Sequence, residues 1–129
     1  MATGPWSSIV PFGALEIASA GTTKLLSANC GPLGGQVGGS QASPALPGQA
    51  LRQFRLTNPQ GSGGATVYLL PRGCTASDNP GEIIDAILPG ESKTFPQGWA
   101  VASGFLPENF CLDISEGSDV TVYGCGFLG

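Results

Sequence analysis

The 129-residue sequence has no histidine, a single methionine, and only five basic residues against nine acidic ones. Without histidine it lacks the commonest general base and the usual partner of a nucleophilic serine or cysteine. The cationic side chains, Lys24, Arg52, Arg55, Arg72 and Lys93, are dispersed one or two at a time, and the net charge is -4. A chain so arranged has no electrostatic footprint for a nucleic-acid backbone or an anionic lipid surface, so neither is expected as a partner. Charged residues make up 11% of the chain, well below the roughly 25% of an ordinary soluble domain. Little charge is left to keep its surface separately solvated, as expected of a protein partly covered by other subunits. No apolar run approaches the roughly 20 residues of a membrane-spanning helix. Ala18-Ser19-Ala20 has the look of a signal-peptidase site, but no basic residue precedes it, and Pro11, Gly13 and Glu16 interrupt the apolar region.

Metal and phosphate chemistry are equally short of material. Cys30, Cys74, Cys111 and Cys125 lie far apart with no CxxC spacing, and without histidine a zinc site would need all four thiolates at unorthodox spacing. Buried thiols are the expected state. The stretch GPLGGQVGGSQASPALPG, residues 31 to 48, has neither a GxGxxG nor a GxxxxGK[ST] pattern and holds no Lys or Arg to meet an anion. It reads as a long loop that follows a surface. The acidic residues fall into two local groups, Asp78, Glu82, Asp85 and Asp113, Glu116, Asp119. Neither group has the spacing of a calcium loop, and both are expected to be solvated turns. No cofactor, no metal and no enzymatic activity are expected.

The sequence is rich in glycine and proline, 21 and 11 residues, together with 41% hydrophobic residues that recur in short clusters. Helical spacing is never sustained, and Pro80 to Leu88 is the nearest approach to a helical turn. Short strand-like segments bounded by Gly, Pro, Asn or Asp are frequent: Leu15 to Ala18, Thr23 to Ala28, Leu51 to Thr57, Thr66 to Leu70, Ile83 to Leu88, Trp99 to Ser103, Phe110 to Ser115 and Val120 to Gly124. The expected fold is all-β, a small antiparallel β-sandwich of jelly-roll or tulip-like form, with extended Gly/Pro-rich arms and loops. Alternation is cleanest near the C-terminus, where Phe110, Leu112 and Ile114 face one way and Val120 and Val122 join them across a turn at Glu116 to Asp119. This predicts a hairpin with Cys111 and Cys125 nearly opposite, and a disulfide between them depends on the register. Asn58-Pro59-Gln60-Gly61 marks a turn, and Pro47-Gly48 and Pro89-Gly90 each read as a tight turn feeding a strand.

Residues 1–13 read as an arm and residues 14–129 as one domain. In Gly4-Pro5-Trp6-Ser7-Ser8-Ile9-Val10-Pro11-Phe12-Gly13, the side chains of Trp6, Ile9, Val10 and Phe12 sit in a segment too proline-broken for a central strand. Trp6 and Phe12 either cap the domain's own core or anchor the arm on a neighbour. The candidate interface residues are Trp6, Ile9, Val10, Pro11 and Phe12, with Phe127 and Leu128 from the similar glycine-flanked C-terminus.

On these features, the short strands ending at Val120 to Gly124, the Pro-Gly turns and the uncharged arms, the chain resembles the capsid decoration, or cement, proteins of tailed bacteriophages. The resemblance implies a non-enzymatic virion protein on the outer capsid surface that stabilises the shell by bridging coat subunits. Its partners would be the major capsid protein and neighbouring copies of itself, with a trimer the favoured homo-oligomer. An alternative is a carbohydrate- or surface-binding β-sandwich of a fibre or appendage, in which Tyr68, Trp99 and Tyr123 form a stacking platform. A secreted, disulfide-stapled inhibitor is a third reading, and it requires oxidised cysteines.

Overall fold

The computed structural model describes residues 9–26, 53–95 and 106–127. Among these residues there are eight strands: β1 (Ile9–Ser19), β2 (Lys24–Leu25), β3 (Gln53–Thr57), β4 (Val67–Pro71), β5 (Asp85–Ile87), β6 (Ser92–Phe95), β7 (Phe110–Ile114) and β8 (Ser118–Phe127). They form two four-stranded antiparallel sheets, ordered β1-β8-β3-β6 and β2-β7-β4-β5. The pairs β1/β8, β2/β7, β3/β6 and β4/β5 nest inside one another, as if one long hairpin had been rolled up. Rolling then adds the contacts β3/β8 and β4/β7. This nested order is that of a jelly roll, a double-sheet architecture shared by viral capsid and lectin domains.

The period-2 pattern explains which side chains are inside. Leu15 and Ile17, Phe54 and Leu56, Val67 and Leu69, Leu112 and Ile114, and Val120 and Val122 alternate with more exposed or outward neighbours and meet in one core between the sheets. Sheet β1-β8-β3-β6 keeps an open outer face. The outer face of the other sheet is covered by the β4–β5 connection, residues 72–84, which folds back across it. Leu70 and Cys111, adjacent on that outer face, are buried as a result. The Cys111 thiol donates to the carbonyls of Pro71 and Cys74, both at 3.4 Å.

The predicted C-terminal hairpin does not form. β7 and β8 lie in different sheets, so Glu116 to Asp119 is a crossing from one layer to the other. Alternation reveals which face of a strand is apolar, and an apolar face can be buried either beside its neighbour or across the sandwich. Cys111 and Cys125 therefore stand in opposite sheets, and both are free thiols. The crossing uses two left-handed residues, Gly117 at φ 84° and Asp119 at φ 57°. Elsewhere, only Pro80–Glu82 of the weak helical signal is helical, as one 3-10 turn, and the strand expected over Ile83 to Leu88 shortens to Asp85–Ile87. Pro89-Gly90 makes the expected turn, with Gly90 at φ 82° and the Glu91 N–H donating to the Leu88 carbonyl at 3.0 Å. Pro47-Gly48, the glycine-rich run 31–48 and the Trp99 to Ser103 strand fall outside the described residues.

Among the described residues two polar side chains are buried, and neither looks buried in the sequence. Asn58 is fully enclosed rather than an exposed turn residue: its amide donates to the carbonyls of Ala65 and Ile87, and its oxygen accepts from the Gln60 side chain at 2.8 Å. This ties the β3–β4 crossing to β5. Asp113, expected in a solvated turn, is 1% exposed. Its Oδ1 accepts from the N–H groups of Gly21 and Ile114 and its Oδ2 from that of Ala76, each at 2.8 Å. One carboxylate thus joins the β1–β2 turn, strand β7 and the covering segment 72–84.

Candidate functional site

The strand ladders bring the connections of the chain to two distinct ends. At one end the links are short: residues 20–23, 58–66, 88–91 and 115–117. At the other, Ile9 of β1 pairs with Phe127 of β8, Phe127 pairs with Gln53 of β3, and Phe54 pairs with Phe95 of β6. In the second sheet, Pro71 pairs with Phe110 at that same end, and the Leu26 N–H donates to the Phe110 carbonyl at 3.0 Å. The ends are joined across the layers by the Phe54 and Phe110 rings, whose centroids are 5.9 Å apart. It follows that Ile9, Leu26, Gln53, Phe95 and Phe127, the described residues next to segments 1–8, 27–52, 96–105 and 128–129, all lie at this one end. The candidate interface residues near both termini are thereby brought together on neighbouring strands.

An aromatic plug closes the sandwich here. Phe54 stacks on Phe95 at 5.2 Å and lies 6.2 Å from Phe12. Pairs of this kind contribute about 0.5–1.5 kcal/mol beyond area burial. Phe12 reaches the plug because the β1/β8 register shifts between Pro11 and Gly13, a bulge that Gly13 permits at φ 79°. On the facing strand Gly124 leaves the room: a Cβ there would stand 2.8 Å from Leu56 Cδ2 and 3.0 Å from both Phe12 Cδ2 and the Arg55 carbonyl.

These facts correct part of the expected interface. Phe12 is wholly buried in the protein's own core and is not an arm anchor. Ile9, Val10 and Pro11 are strand residues, paired with Phe127, Gly126 and Cys125, so the boundary expected after Gly13 falls inside β1. Phe127 ends β8 partly exposed. Trp6 and Leu128 lie outside the described residues. Pro11 and Gly13 argue against a central strand, but an edge strand tolerates both, and β1 is an edge strand.

The remaining polar groups sit apart from this end or serve the fold. Lys93 of β6 and Asp85 of β5 clasp the two sheets along their shared margin, 2.9 Å apart, and Lys93 also donates to the Ala86 carbonyl at 2.8 Å. The Asp85 hydrogen bond raises the Lys93 pKa above the usual lysine value. Burial pushes both the Cys111 and Cys125 thiols up, with nearby Arg55 pulling Cys125 partly back. A shallow pocket of about 360 Å³ lies over the covered sheet, lined by Tyr68, Ser77, Ile83, Asp113 and Ser115 among others. Its Asp113 carboxylate is committed to three backbone N–H groups. A second pocket of about 330 Å³ lies on the open face of the other sheet, beside Arg55, Thr57, Tyr123 and Cys125. Tyr68 and Tyr123 therefore occupy outer faces of opposite sheets and form no common stacking platform; Trp99 is outside the described residues. Among the described residues no three His, Cys, Asp or Glu side chains converge on a metal-binding arrangement. No family model, curated protein or solved structure matches this chain.

Proposed function

We propose that this jelly-roll protein is a non-enzymatic virion component that binds the outer surface of an assembled capsid and stabilises it by bridging coat subunits. One observation carries the reading: the described strand ends that lead into both termini and into residues 27–52 and 96–105 lie at the same end of the sandwich. That end can thus present several low-charge, glycine- and proline-rich segments to one partner surface while the opposite end stays compact. Glycine lets a backbone lie close against a neighbour, and aromatic side chains, of which residues 1–8 hold Trp6, supply much of the energy of protein interfaces. The jelly roll supports this reading only as a scaffold, since folds host many functions.

Stabilisation follows from linkage. A protein that binds the assembled shell and not its free subunits adds its binding free energy at every occupied site, about 2.7 kcal/mol at a free concentration of 100 Kd. The test is deletion of residues 1–8, which ends just before β1. The shortened chain is expected to keep the far-ultraviolet spectrum and melting temperature of the full chain and to lose co-sedimentation with expanded capsids. Full retention of capsid binding would overturn the role given to this end. Deletion through Gly13 is unsuitable because it also removes Phe12 from the core.

A further inference from the structure

We propose that the open face of sheet β1-β8-β3-β6 is a self-complementary surface on which two copies of this chain pair about a two-fold axis. The residues that point outward from this sheet follow from its register and burial. They include Ala14, Glu16 and Ala18 of β1, Thr121, Tyr123 and Cys125 of β8, and Gln53, Arg55 and Thr57 of β3. Along these three strands the charged side chains are Asp119, at the start of β8 beside the crossing from β7, and the two that flank Tyr123, the anion Glu16 and the cation Arg55. Both are exposed, and neither has an ion-pair partner among the described residues. Tyr123 stands between them and is 52% exposed, one of three large apolar side chains exposed among the described residues.

The placement of Glu16 and Arg55 is symmetric about Tyr123. Glu16 pairs with Thr121, two residues before Tyr123 on β8, and Arg55 pairs with Cys125, two residues after it, on the opposite flanking strand. At about 3.4 Å per residue and 4.8 Å per strand, the two charges are about 17 Å apart on a diagonal centred on Tyr123. That separation exceeds the Debye length of about 8 Å at physiological ionic strength, so they do little for each other within one chain. A two-fold axis in the plane of the face, through Tyr123 and perpendicular to the diagonal, sets Glu16 of each copy over Arg55 of its partner. It also sets Tyr123 against Tyr123 at the centre, where aromatic residues contribute most. An isologous contact requires this reciprocity, residue i on j and j on i. The diagonal is tilted about 35° from the strands, so the strands of the two copies cross at about 70°, near the orthogonal class of sheet packing.

The size of the face sets the strength of the pair. Four strands are about 19 Å wide, and a crossed overlap covers roughly 400 Å² per partner, half of the about 800 Å² of a standard interface. The pair is therefore weak, and it forms where copies are concentrated. This surface is separate from the end proposed to bind a capsid and does not depend on that reading.

The experiment is sedimentation equilibrium of the full chain from about 10 μM to 1 mM, a range that covers weak interfaces of this size. A reversible monomer–dimer equilibrium is expected. Arg55→Glu and Glu16→Arg, both on exposed side chains, replace two opposite-charge contacts by two like-charge ones, and each is expected to weaken dimerisation at least about tenfold. An equimolar mixture of the two variants restores both opposite-charge contacts in the mixed pair and is expected to dimerise again. A wild-type chain that stays monomeric at the highest concentration overturns the proposal. So does a trimer, variants that dimerise as well as wild type, or a mixture that shows no recovery.

Discussion

Replacing Asp113 by Asn is the sharpest probe of how this fold is held. The substitution keeps the shape of the side chain and removes its charge. In the native protein the carboxylate, 1% exposed, accepts three backbone hydrogen bonds at 2.8 Å, from Gly21, Ile114 and Ala76. An amide has one acceptor oxygen, so whichever way it turns, its NH2 group must face at least one of those N–H donors. Hydrogen bonds to charged groups are worth about 1.5–3 kcal/mol, and a buried donor left unpaired costs about 1–3 kcal/mol. Allowing for relaxation, the expected loss is about 2–4 kcal/mol in urea unfolding monitored by tryptophan fluorescence, with an unchanged m-value. Hydrogen exchange should locate the loss: the Gly21 and Ala76 amides exchange faster, because both connections they belong to are pinned by this carboxylate. The control is Asp78→Asn on the exposed surface of the covering segment, expected to fall within about 0.5 kcal/mol of wild type. Equal effects of the two substitutions would refute the claim that Asp113 organises the fold.

The remaining predictions concern packing and the thiols. Gly124→Ala places a methyl group 2.8 Å from Leu56 Cδ2 and 3.0 Å from Phe12 Cδ2, so it is expected to cost about 1–3 kcal/mol in the same urea assay, and a neutral result would show that the plug is loosely packed. The Cys111 and Cys125 pKa values are raised in the folded state, chiefly by burial, so their contribution is fully present below the unfolded thiol value and is lost as pH rises through the folded values. Stability should therefore decline above about pH 8.5, and the Cys111→Ala/Cys125→Ala protein should show a shallower alkaline decline. Parallel pH profiles for the two proteins would contradict this.

Much of the sandwich was legible because a strand's alternation reports its buried face directly. The apolar face predicted from Phe110, Leu112 and Ile114 with Val120 and Val122 lies in or against the core. Partner choice was not legible, since the same inward faces serve a hairpin or two opposed sheets, and here β7 and β8 take the second option. Asp78 and Asp113 sit in similar acidic groups, yet one is exposed and the other buried, because segment 72–84 covers only the outer face that carries Asp113. That covering is a long-range event with no local signature. The sequence leaves Phe12 open between core and arm for a related reason: its place in the plug depends on a bulge at Gly13 and a missing side chain at Gly124, 111 positions further on. Of the candidate interface, the sequence pointed to both chain ends, and the β1/β8 ladder is what brings them side by side.

The most direct test of the proposed function is the thermal disruption of expanded capsids, followed by light scattering or calorimetry, with and without added protein. Full-length protein is expected to raise the disruption temperature in a saturable, concentration-dependent way, while the chain lacking residues 1–8 leaves it unchanged. A disruption temperature that full-length protein does not move at saturating concentration would contradict the account.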